Sequence, residues 1–115
     1  MNKPITPQVH GIIDYAFAGL LCGMPAAIGL NGFCRKTYCA VGSNFLGVNS
    51  LTDTPVGIKP VFSMKSHQKL DAVTLAGLAA LTLAKPIRND KKALSFHLGF
   101  LGIAVAHYLL TDYDG

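Results

Sequence analysis

The chain states one pattern twice. Val9-His10-Gly11-Ile12-Ile13-Asp14 opens the first half, and Ser66-His67-Gln68-Lys69-Leu70-Asp71 opens the second. Ala18-Gly19-Leu20 recurs as Ala76-Gly77-Leu78 and Leu51-Thr52-Asp53 as Leu110-Thr111-Asp112, at offsets of 57 to 59 residues. Each half reads as an apolar segment, a short basic connection, a second apolar segment and a Thr-Asp terminus. Such a duplication restricts the fold to units that can pack beside their own copy. The expectation is an all-α protein, a four-helix transmembrane bundle built from two tandem helical hairpins. It would form a single membrane domain over residues 1–115, with repeat 1 at about 9–53 and repeat 2 at about 66–112.

Composition points the same way. Half of the 115 residues are apolar and only 14% are charged, against roughly 25% in soluble domains. A small globule has much surface per unit volume and needs more charge than this to coat it. A bilayer removes that need by solvating an apolar exterior. The net charge of +4 is spread over termini and connections. No basic stripe interleaves with aromatics, which argues against nucleic acid as a partner. Cys22, Cys34 and Cys39 have no metal-ligand spacing, and their odd number argues against a disulfide framework. Cys22 reads as a small apolar filler.

The spans are expected near residues 9–30, 38–51, 67–84 and 93–111. The first, ~22 residues or ~33 Å of helix, is long enough to cross. Thr6-Pro7 starts it, Asn31-Gly32 stops it, and Pro25 bends its last turns. Because it has a counterpart in the second half, it is expected to be retained rather than cleaved as a signal. The second is the weakest, carrying Ser43, Asn44, Asn49 and Ser50. Gly19, Gly23, Gly42, Gly47, Gly99 and Gly102 are candidate positions for close helix packing.

Lys and Arg placement sets an orientation. Arg35, Lys36, Lys85, Arg88, Lys91 and Lys92 mark the first and third connections, and Lys3, Lys59, Lys65 and Lys69 mark the opposite side. The positive-inside rule places the first group in the cytoplasm and both termini outward. Two helices per repeat insert in the same sense. The halves are then related by an axis along the membrane normal, with their His-x-x-x-Asp pairs level.

The order of His10-x-x-x-Asp14, a glycine-containing span, Pro25 before Gly29, Leu51-Thr52-Asp53 and a second His-x-x-x-Asp resembles the bacterial SPW-repeat membrane proteins. Met24-Pro25-Ala26 stands where that family carries Ser-Pro-Trp. The resemblance covers most of the chain. It implies two-helix repeats in a bacterial inner membrane and brings no catalytic residues.

His10/Asp14 and His67/Asp71 are spaced i, i+4, which puts each pair on one helical face. Packed about a twofold axis, two imidazoles and two carboxylates converge, and Asp53 and Asp112 end on the same side. His10, Asp14, His67 and Asp71 are thus candidate ligands for a divalent metal. His10 and His67 alone are candidate axial ligands for a haem or other tetrapyrrole. The plainer reading is structural: each Asp bonds its own His, or a Thr or backbone group of a neighbouring helix. His97 and His107 differ by ~15 Å in height along one helix and cannot share a small site. No Ser or Cys is set beside a His and an acid, so enzymatic activity is not expected. The expected role is that of a structural or accessory subunit packing in the lipid bilayer with other membrane subunits or itself. A haem-, pigment- or metal-binding protein is the first alternative, and a small transporter or channel the second.

Overall fold

The computed structural model describes residues 3–114, and it is all-helical. The elements are α1 (Pro7–Ala27), α2 (Gly32–Ser50), α3 (Met64–Leu81), the single turn α4 (Lys85–Arg88) and α5 (Lys91–Leu110). Four long helices therefore occupy the four expected segments, and α4 is an added turn between α3 and α5. Among the described residues there are no strands, only two isolated bridges, Ile5 with Thr111 and Thr52 with Phe62.

The helix starts repeat as the sequence does. Thr6 caps α1 by accepting from Val9 N, and Ser63 caps α3 by accepting from Ser66 N. Asn31 caps α2 through Cys34 N, and Asp90 caps α5 through Lys92 N and Ala93 N. A short polar side chain at this position satisfies amides that have no partner inside the helix. Asn31 explains one departure from expectation. Asn31-Gly32 ends the first segment and also begins the second, so α2 starts at Gly32 and takes in Arg35 and Lys36. At 19 residues, α2 is as long as its neighbours, but it is not among the helices apolar enough to cross a membrane, in keeping with its polar Ser43, Asn44, Asn49 and Ser50.

Pro25 lies within α1, and the helix ends two residues later. Gly29 turns the chain at φ 72°, and the amides of Gly29 and Leu30 bond back to the carbonyls of Ala26 and Pro25. Only a residue without Cβ takes this left-handed conformation freely.

α1 packs chiefly against α2, and α3 against α5, which makes two hairpins. Gly42 allows the first contact: a Cβ there would lie 2.9 Å from Ala18 O and 3.2 Å from Leu21 Cβ. Gly19, Gly23, Gly47, Gly99 and Gly102 would meet nothing within 4 Å, so they pack against no other helix of this chain. The α1–α2 contact also carries a disulfide between Cys22 and Cys39. This corrects the expectation drawn from the odd cysteine number. Two of the three thiols pair across adjacent helices, and buried Cys34 is the free one.

The hairpins meet through Phe17, Leu21, Tyr38, Phe45, Leu78, Phe100 and Ala104. Phe17 and Phe100 stack edge to face with centroids 5.1 Å apart, a favoured aromatic geometry. This apolar layer separates two polar ones. One lies where α1 and α3 begin and α2 and α5 end, and the other surrounds His97.

Candidate metal centre

The starts of α1 and α3 bring their His-x-x-x-Asp pairs face to face. One helical turn separates His from Asp in each pair, so both side chains of a pair lean into the interface between hairpins. His10 Nε2 lies 3.2 Å from His67 Nε2. His10 Nε2 is 3.1 Å from Asp14 Oδ2 and 3.1 Å from Asp71 Oδ2. His67 Nε2 is 2.9 Å from Asp14 Oδ2 and 3.2 Å from Asp71 Oδ2. His10, Asp14 and His67 are 1% exposed and Asp71 8%, so this is an interior site rather than an exposed acidic patch. All four residues singled out as metal-ligand candidates have come together.

The outer nitrogens are held equally regularly. His10 Nδ1 lies 2.7 Å from Thr111 Oγ1, and His67 Nδ1 lies 2.7 Å from Thr52 Oγ1. Each hydroxyl in turn donates to the carbonyl four residues back, Thr111 to His107 O at 2.5 Å and Thr52 to Val48 O at 2.6 Å. Exchanging the two halves turns one His–Thr pair into the other. A second pairing obeys the same exchange: Tyr38 and His97, 59 residues apart, bond to each other.

Three further groups close the centre. His107 Nε2 is 3.1 Å from Asp14 Oδ1, and its ring stacks on that of His10 with centroids 4.0 Å apart. Tyr113 donates its hydroxyl to Asp71 Oδ2 at 2.8 Å. Burial, then the neighbouring Asp71 carboxylate, pushes the Tyr113 phenol well above its ordinary pKa, so it remains a donor. Asn49 Nδ2 donates to Gly11 O at 2.7 Å and ties the end of α2 to the start of α1.

Asp53 and Asp112 were expected on the same side as the cluster; of each Leu-Thr-Asp it is the Thr that reaches it. Thr52 and Thr111 are buried, whereas Asp53 is exposed and Asp112 half-buried. The duplicated Thr was a usable signal for these two. His107 and Tyr113 have no duplicate in the first half and gave none. His97 lies apart, as its height predicts. Leu78 O, an acceptor, lies 2.9 Å from His97 Nε2, so that nitrogen carries the proton. His97 Nδ1 then accepts from the Tyr38 hydroxyl at 2.6 Å. With both ring nitrogens engaged, His97 serves as a tether between helices.

Chemically, the centre presents two imidazole nitrogens and two carboxylate oxygens to one point, a donor set that suits zinc, iron or manganese. It does not suit a tetrapyrrole. His10 Nε2 and His67 Nε2 are at hydrogen-bond distance, with carboxylates beside both, and the adjoining cavity of about 10 Å³ holds at most a water-sized group. His10 and His67 therefore do not flank a macrocycle. No family model, curated protein or solved structure significantly matches the chain.

Proposed function

We propose that this is a small integral membrane protein with a structural or accessory role, its two hairpins forming a four-helix transmembrane bundle clasped at the histidine–aspartate centre. The observation that carries the proposal is a set of fully buried polar side chains inside an exterior rich in large apolar ones. His10, Asp14, Asn49, Thr52, His67, His97 and Thr111 are all 1% exposed or less. Val73, Ile103 and Leu109 are 60% exposed or more, with Ile12 and Leu98 just above half. Water favours the reverse arrangement, whereas lipid favours this one. Two helices, Pro7–Ala27 and Lys91–Leu110, are long and apolar enough to cross a membrane by length and composition. In the proposed bundle α2 and α3 cross with them, each tucked against a more apolar partner.

Orientation follows from the charged end. Arg35, Lys36, Lys85, Arg88, Lys91 and Lys92 are exposed at the end away from the centre. That end faces the cytoplasm, and the centre and both termini face outward. The accessory role is supported by what the helices leave open. The exposed glycines and a groove of about 420 Å³ between α2 and α3, lined by Ala40, Val41, Asn44, Thr74 and Gly77, offer small-residue faces to another membrane helix. The resemblance to bacterial SPW-repeat proteins supports this reading of the architecture, and a bacterial inner membrane is the proposed location.

Alkaline carbonate extraction of membranes from expressing cells tests the proposal. The protein is expected to stay in the pellet and to need detergent for release. Recovery of a monodisperse species in the detergent-free supernatant would refute it.

A further inference from the structure

With both imidazoles neutral, the proton inventory of the centre does not close without a cation. Each Thr hydroxyl has one proton, and it lies on the bond to its own helix carbonyl, Thr111 to His107 O at 2.5 Å and Thr52 to Val48 O at 2.6 Å. Thr52 and Thr111 must therefore accept from the imidazoles, which puts the proton of each neutral ring on Nδ1. The Nε2 atoms then carry lone pairs. They point at each other across 3.2 Å and at Asp14 Oδ2 and Asp71 Oδ2 across 2.9–3.2 Å. Four acceptors meet with no donor among them.

Extra protons fill this gap poorly. Two imidazolium rings would set two cationic N–H groups head to head at the same 3.2 Å separation. A single divalent ion satisfies all four atoms and is neutralised by the two carboxylates. Five of the six separations fit: four ligands at ~2.0–2.1 Å from a tetrahedral centre lie ~3.3 Å from one another, close to the histidine–histidine and histidine–carboxylate contacts. All four ligand atoms lie within 4.8 Å of one another, so the two carboxylates close in slightly when the ion binds. The outer contacts are those that metal ligands require: a hydrogen bond on the far nitrogen of each His, and one donor on each carboxylate, from His107 to Asp14 and from Tyr113 to Asp71.

We propose that His10 Nε2, Asp14 Oδ2, His67 Nε2 and Asp71 Oδ2 bind one tetrahedral divalent transition-metal ion of the zinc class, which locks the two halves of the chain together. Two nitrogen and two oxygen ligands distinguish the site from calcium and magnesium sites, which are built from six or more oxygens. All four positions are taken by protein, which makes the ion structural. The proposal does not depend on the membrane assignment, because the same four atoms converge whatever surrounds the helices.

The test uses the full chain, purified in mild detergent, with ZnCl2 or CoCl2 as the only added metal. Elemental analysis is expected to give about one zinc per chain. Cobalt is expected to give the intense visible bands of a tetrahedral site, and calcium and magnesium should not compete. Metal removal should lower Tm by roughly 10 °C. Asp71→Asn should abolish the cobalt bands. Thr52→Val and Thr111→Val should weaken metal affinity about 10–100-fold while far-ultraviolet circular dichroism stays helical. If Asp71→Asn fails to fold, the cobalt spectrum of the unmodified chain still decides. A chain that takes up neither metal, or whose imidazole 15N resonances show His10 and His67 doubly protonated, overturns the proposal. So does a weak octahedral cobalt spectrum.

Discussion

Thr52 and Thr111 show how much one hydroxyl decides. Each converts a histidine that has two possible tautomers into one with a fixed donor and a fixed acceptor side. Removing that hydroxyl leaves a buried Nδ1–H without a partner, a loss of about 1–3 kcal/mol. Thr52→Val is therefore expected to lower stability by that amount in thermal or denaturant unfolding. Thr54 supplies the control. Its Oγ1 is buried without a partner in the structure, so Thr54→Val, which keeps the shape, should be neutral or mildly stabilising. Equal losses from both substitutions would contradict the hydrogen-bond assignment. Tyr113 gives a pH signature. Its raised pKa means that the folded state favours the protonated phenol. That contribution is complete below the unfolded value near 10 and is lost as pH rises through the folded value. In an ultraviolet titration of the folded protein, Tyr113→Phe should leave tyrosinate formation near pH 10 unchanged. A loss of absorbance in that range would show Tyr113 to be an ordinary, open phenol.

Among the elements, the α1–α2 contact is the most closely fitted. A Cβ on Gly42 would meet a backbone carbonyl at 2.9 Å, and a carbonyl within a helix cannot step aside. Gly42→Ala should cost about 1–3 kcal/mol by overpacking. Gly47, on the same helix, would meet nothing, and Gly47→Ala should gain about 0.5–1 kcal/mol from the helix preference alone. Unfolding of both variants in one detergent checks the opposite signs. The same pair of helices carries the Cys22–Cys39 disulfide, so maleimide labelling of the denatured chain should find one thiol before reduction and three after it. Three before reduction would remove the crosslink.

These elements also show where sequence was informative. The starts of α1 and α3 were legible because a duplicated His-x-x-x-Asp fixes both spacing and partner, and the four ligand candidates do converge. The start of α2 was misplaced because Asn31 acts in two ways, ending one helix and capping the next. The Cys22–Cys39 pairing depends on the rotation of α2 about its axis, which is set by the Gly42 contact and leaves no mark in cysteine spacing. His107 reaches Asp14 only because α5 stacks on α1, a tertiary relation without a local pattern.

At the scale of the whole molecule, the described residues span 40 × 27 × 19 Å, long enough for the bundle to cross a hydrocarbon core of about 30 Å. Its buried polar groups lie in two layers, and Phe17, Phe45, Phe100 and Leu21 fill the space between them. That plug separates the two buried polar layers among the described residues, as expected of the proposed packing role. The central claim is that the outward faces of these helices are wetted by lipid. Nitroxide labels at Val73, Ile103 and Leu109, each 60% exposed or more, test it directly in reconstituted bilayers by electron paramagnetic resonance. High collision rates with oxygen and low rates with a water-soluble nickel chelate are expected at all three positions. Ready access of the nickel chelate to all three would contradict it.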